Sequence, residues 1–295
     1  MMQTLQSLTR KIKSAEDLHS VVRTMKSLAA VSIRQYEEAV LALADYSRSV
    51  ELGLRAALRQ RPPDIASKSP GEAVVFVFGS EQGMAGQFNE AIFDFAEQEI
   101  RTGNFPDARV YWIAGTKASG TATERYGRYE RLFALPSSAR AIADTVQQVL
   151  LLFEQRTTRR GRAKLVLFHN VPTSGAAYRQ SMVQMLPPDE TWLTTLSSEP
   201  WPGRSLPLFT LPWDRLFSSL IREYLFVSLF RAFANSLAAE NAARLSSMQR
   251  AEKNIEEMRE ELTSRYHSLR QSGITEELFD IVSGFEALRE ADDRR

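Results

Sequence analysis

Three histidines, one glycine-bearing loop and one arginine cluster are the residues of this chain whose types or spacing could do chemistry. His19, His169 and His267 could act as metal ligands or bases, but they are scattered and none has a partner at metal-ligand spacing. His169 ends a predicted strand beside Asn170, where a base could sit, and the sequence favours a hydrogen-bonded structural histidine. Gly79, Gly83 and Gly86 follow an apolar run and precede a helical pattern. Such a loop could cradle an anion at a helix N-terminus. It has neither the G-x-G-x-x-G order of a dinucleotide loop nor the G-K-[ST] of a P-loop, and no lysine lies between Lys68 and Lys117. The spacing favours a tight strand-to-helix turn with positive φ and close packing. Arg156, Arg159, Arg160 and Arg162 lie between a predicted helix and a strand, and read most simply as a solvated loop. With no cysteine, disulfides, thiolate metal sites and cysteine nucleophiles are excluded.

The elements that would position these residues are of two kinds. Ala73 to Phe78 is a continuous apolar run that reads as a buried strand of a parallel sheet. Residues 109–114 and 164–168 give two further strands, and residues 90–101 and 139–155 two helices. This alternation predicts an α/β body over residues 73–205. Residues 61–72 form a linker, and residues 186–212 read as an irregular, proline-bearing return.

The chain ends are different. Residues 5–58 hold no proline and one glycine, Gly53. Apolar or small residues recur at Leu5, Leu8, Ile12, Ala15, Leu18, Val22, Met25, Ala29, Ser32, Tyr36, Ala39, Leu43, Tyr46 and Val50. These steps of three and four, with one doubled three between Ala15 and Leu18, predict a coiled-coil seam with a stammer. From Trp213 to residue 290 the chain is again proline-free, and one helix over that stretch would be roughly 115 Å long at 1.5 Å per residue. Its stripe runs Leu216, Leu220, Val227, Phe230, Ala234, Leu237, Asn241, Leu245, Met248, Ile255, Met258, Leu262, Tyr266 and Leu269, with Asn241 a polar residue of the kind that fixes register. Two long helices joined through one body most simply pair antiparallel. The expected fold is therefore an α/β body plus a long antiparallel coiled coil of the N-terminal helix (1–60) and the C-terminal helix (213–290), with 206–212 as the connection and 291–295 as a charged tail.

Net charge is +1, which argues against a general nucleic-acid binder. No segment approaches the roughly 20 apolar residues of a membrane span, and the first residues lack a signal peptide's pattern.

Four stretches, in order along the chain, resemble one family. The tail Arg270-Gln271-Ser272-Gly273-Ile274-Thr275-Glu276-Glu277-Leu278-Phe279-Asp280-Ile281-Val282-Ser283-Gly284 closely resembles the C-terminal signature of the gamma subunit of F-type ATP synthases. Leu237-Ala238-Ala239-Glu240-Asn241-Ala242-Ala243-Arg244 is similar to a second motif of that family, the loop 78–89 to a third, and Thr24-Met25-Lys26-Ser27-Leu28-Ala29-Ala30 to a fourth. The resemblance implies a rotor shaft without catalytic residues, cofactor or metal. It implies one copy inside a ring of three alpha and three beta subunits, with the epsilon subunit and the c-subunit ring below, at the cytoplasmic face of a bacterial membrane. By motif match, Met25, Glu240, Arg244, Gln271, Thr275 and Glu276 would touch those partners or brace the shaft. Glu81-Gln82 stands where the family commonly has Asp-Arg, and Phe285-Glu286 where it has two alanines, as expected of a divergent branch. The alternatives are a nucleotide-binding α/β protein with coiled-coil arms, and a coiled-coil scaffold unrelated to ATPases.

Overall fold

The computed structural model describes residues 4–61, 71–103, 105–173, 177–205 and 207–292, with side chains described to residue 283. The predicted linker falls largely outside the described residues, as do the last three residues of the tail and the side chains at 285 and 286. The chain forms two compact units, residues 28–247 and residues 1–27 with 248–295. Helices α1 (Leu5–Ala42) and α7 (Trp213–Asp292) contribute to both, so a long N-terminal helix packs against a long C-terminal one.

Within residues 28–247, a five-stranded sheet has the order β3-β2-β1-β4-β5. Its strands are β1 (Glu72–Phe78), β2 (Ala108–Ala114), β3 (Arg131–Phe133), β4 (Ala163–Pro172) and β5 (Tyr178–Leu186). The first four are parallel and β5 runs antiparallel to β4. Successive side chains of a strand point to opposite faces. Val74, Phe76 and Phe78 therefore face one layer, with α5 (Ile142–Arg160) and α7, while Val75 and Val77 face α3 (Phe88–Thr102) and α4 (Ala118–Tyr126). The first layer is built on aromatic rings: Phe78 stands 4.7 Å from Phe233 and 4.5 Å from Phe76 between centroids. Residues 225–244 of α7 are buried almost all round, the pattern of a helix enclosed by its own domain.

The expected first helix is two. A turn at Leu43 separates α1 from α2 (Ala44–Gln60). Residues 186–212 are not wholly irregular: Asp189 caps α6 (Glu190–Ser198) by accepting from the Thr191 amide at 3.0 Å. Leu193 and Leu196 of α6 close a cluster with Val50, Leu54 and Leu58 of α2 and Phe217 and Leu220 of α7. The prolines around α6 hid a helix too short to show periodicity.

The seam of α1 also differs from the expectation. The buried positions are Leu8, Ala15, Val22, Ala29 and Tyr36, an unbroken seven-residue repeat. Their seam partners are Ile12, His19, Lys26, Ile33 and Val40, all half-buried. Leu18 is 55% exposed and belongs to a separate stripe with Val21 and Leu28. There is no stammer: hydrophobicity picked Leu18 where the geometry seats His19. Asn241 does not reach across to another helix either. Its amide donates to the Leu237 carbonyl of its own helix at 2.8 Å.

Candidate functional site

The C-terminal ends of parallel strands are where an α/β sheet ordinarily holds a ligand. Here the glycine loop follows β1, and its shape comes from close packing at one glycine and left-handed backbone at another. A Cβ on Gly79 would lie 2.2 Å from the Ala118 Cβ, and Gly86 has φ of 63°. Met84 also has positive φ, whereas Gly83 sits in open space. Asn89, at the start of α3, accepts from the Ser80 amide at 2.8 Å and donates to the Ser80 hydroxyl at 3.0 Å.

Two carboxylates occupy the place an anion would take. Glu81 accepts from the Thr116 amide at 3.0 Å, the Thr116 hydroxyl at 2.6 Å and the Leu135 amide at 2.9 Å. Burial would push its carboxyl up, but these three donors outweigh it and hold the group below the usual carboxylate range. Glu81 thus ties the loop after β1 to the ends of β2 and β3. Glu240 of α7 is 3% exposed and accepts from Arg244 at 2.6 Å and from the Gln82 amide at 3.4 Å. Burial raises its carboxyl pKa despite Arg244. Arg244 is itself buried and also donates to the Asn241 side chain at 3.1 Å. A phosphate here would meet the Glu81 carboxylate, and the Arg244 guanidinium is already paired with Glu240. The arrangement braces α7 against the loop, and the tight-turn reading of the glycines stands.

His169 is buried at 5% exposure beside Phe78, with ring centroids 6.3 Å apart, and its Nδ1 has no hydrogen-bond partner among the described residues. The expected hydrogen bond is absent at that nitrogen. Burial, with Arg179 adding to it, lowers its pKa to about 4. The fold thus favours the neutral ring. Its contribution is complete above the unfolded value near 6.5 and is lost as pH falls toward 4, amounting to about 3 kcal/mol. His169→Phe should flatten urea-melt stability between pH 6.5 and 4 relative to the unsubstituted chain; an unchanged slope would remove His169 from the account. Among the described residues, no three His, Asp or Glu side chains group as a metal site.

Arg156 is not in a solvated loop. It lies on α5, its side chain is 6% exposed, and it pairs with Glu72 at 2.6 Å and with Glu130. Glu130 also accepts from the Trp112 indole at 2.9 Å. With Arg159, Arg160, Arg131 and Gln155, Arg156 lines an outer cleft of about 270 Å³.

In the unit of residues 1–27 and 248–295, α1 and α7 are joined by Lys26 Nζ to Glu252 Oε2 at 2.5 Å, while His19 Nε2 stands 3.5 Å from Glu256 Oε1 without a hydrogen bond. Of the six residues singled out by motif, Glu240 and Arg244 come together as above. Met25 is half-buried on α1. Gln271, Thr275 and Glu276 are exposed, and the Thr275 hydroxyl donates to the Gln271 carbonyl at 2.9 Å. Around them Ile274, Leu278, Phe279, Ile281 and Val282 are 49%, 57%, 68%, 67% and 51% exposed. Sequence reasoning missed Glu81, Glu252 and Glu256, whose only signal was a carboxylate at a turn and two within a charged run.

Comparison with known proteins follows the same line. A family model described as ATP synthase matches residues 4–288. The ATP synthase gamma chain of Salinibacter ruber is 30% identical over 316 aligned residues, covering 98% of this chain and 100% of that one. That of Anaeromyxobacter sp. (strain K) is 27% identical over 303, with 98% and 100% covered. Among solved structures, the rotor of Euglena gracilis mitochondrial ATP synthase superposes with a TM-score of 0.61 at 15% identity, covering 92% of this chain and 98% of that one. The central stalk and c-ring structure from Tetrahymena thermophila gives 0.56 at 16% identity, with 78% and 99% covered. At those identities the structural likeness is one of fold.

Proposed function

We infer the working role from membership: the chain belongs to the ATP synthase gamma chain family, and is a non-catalytic subunit, the central stalk of the rotor. Among the described residues, no helix is long and apolar enough to cross a membrane. In our reading, its paired helices stand inside a ring of three alpha and three beta subunits. The α/β body rests beside epsilon on the c-subunit ring, at the cytoplasmic face of a bacterial membrane. Met25, Gln271, Thr275 and Glu276 face the surrounding subunits, while Glu240 and Arg244 brace the stalk.

The observation that carries this reading is the end of α7. Almost every side chain from 267 to 283 is exposed, large apolar ones included, on a stretch without local cover. A contiguous apolar surface of that kind marks an interaction site. The test is to mix the full chain with bacterial alpha and beta subunits. One copy per hexamer and restored ATP hydrolysis are expected. Truncation after Ser272 should change the chain's own stability by less than about 1 kcal/mol, since it removes exposed side chains, yet abolish coupled synthesis. Unchanged coupled synthesis would sink the assignment of this end. ATP binding by the isolated chain would favour the nucleotide-binding alternative instead.

A further inference from the structure

We propose that Lys26, through Glu252, clamps α1 to α7 against rolling under load, and is a positioning residue for force transmission in this stalk. The apolar seam of their unit is thin. Among the described residues, its buried hydrophobic side chains are Leu8, Ala15 and Val22 from α1 and Met248 from α7, with Met25, Ile255 and Leu262 half-buried. Apolar contact is non-directional, so two helices held by so little can roll or splay without losing much of it. The half-buried flank of the same seam carries Ile12, His19 and Lys26, two polar residues of three. Lys26 donates to the Glu252 carboxylate of α7, whereas the His19 Nε2 stands 3.5 Å from Glu256 and has no hydrogen-bond partner among the described residues.

A charge-assisted hydrogen bond is short and directional, and resists the rolling that a seam of apolar contacts permits. The Lys26 side chain is 32% exposed and that of Glu252 19%, so their contact is shielded in part from solvent. The hydrogen bond from Lys26 holds the Glu252 carboxyl below the usual carboxylate range. The axial position of the helices is already set, because α1 continues unbroken past Ser27. What remains free is their roll, and that is the motion a twisting load would drive. The clamp concerns the free chain; its consequence for torque rests on the rotor reading above.

The test uses the full-length chain with Lys26→Glu, which sets two carboxylates against each other, and the exchange Lys26→Glu with Glu252→Lys. Amide hydrogen exchange over residues 10–26 should rise about tenfold in the single variant and return within about threefold in the double, with no change in the β-sheet. Unaltered exchange in the single variant, or a double variant no better than the single, overturns the clamp. Should Lys26→Glu fail to fold, Lys26→Gln is read the same way, with a smaller rise expected and no rise overturning the proposal. Assembled with alpha, beta and the membrane sector, the single variant should hydrolyse ATP while pumping fewer ions per ATP, and the exchange should restore the ratio. Altered exchange without assembly would leave the clamp standing and count against the rotor reading alone.

Discussion

Replacing Arg156 by methionine should destabilise the chain by about 3 kcal/mol, the cost of stranding partly buried charges whose partner is gone. The guanidinium joins Glu72, the first residue of β1, to Glu130, just before β3, and so closes that end of the sheet from two sides. Methionine keeps most of the buried volume of the stem and leaves both carboxylates with nothing to replace the cation. Burial would push the Glu130 carboxyl up; the Trp112 hydrogen bond and the charge of Arg156 overcome this and hold it below the usual range. Glu130 therefore contributes stability above the unfolded carboxyl value, and loses it as pH falls through the lower folded one. The variant should accordingly approach the unsubstituted chain below about pH 4, where the stranded groups take up protons. Denaturant melts at pH 7 and pH 3.5 read both numbers; equal gaps at the two values would show the loss to be one of packing.

Glu240→Ala should be costlier, about 3–5 kcal/mol, because Arg244 then lies buried opposite an empty site. The ion pair itself is not a large source of stability: burial raises the Glu240 carboxyl pKa even beside the guanidinium. Methionine at 240 combined with leucine at 244 should therefore cost much less than the sum of the two single replacements. A sum that holds within about 0.5 kcal/mol would mean that the two side chains act independently. Circular dichroism melts of the unsubstituted chain, Glu240→Ala, Glu240→Met, Arg244→Leu and the double variant suffice, and no partner subunit is needed.

The strands were legible because Val74 to Phe78 is buried on both faces, which leaves a run of apolar residues and no alternation to misread. β5 was not, since its pattern of half-exposed residues at a sheet edge follows no clear period. The seam of α1 was half legible. Leu8, Ala15, Val22, Ala29 and Tyr36 stand out as a seven-residue repeat, but the flank carries polar His19 and Lys26 among apolar residues, and so His19 lost to Leu18. The brace at Glu240 was named from a motif without its geometry. That its carboxylate would meet the Gln82 amide, 158 residues away, is a consequence of topology that no local spacing encodes. Arg156 was hidden for the same reason, being read among its exposed neighbours although one turn of helix carries it inward.

The bare end of α7 also bears on how such a chain can be kept in a cell. Phe279 and Ile281, two-thirds exposed, lie on a surface that folding alone leaves uncovered. Copies made in excess should therefore collect in aggregates or be cleared by proteases, whereas matched synthesis would spare them. Supply of this polypeptide is then metered by the abundance of whatever sheathes that end.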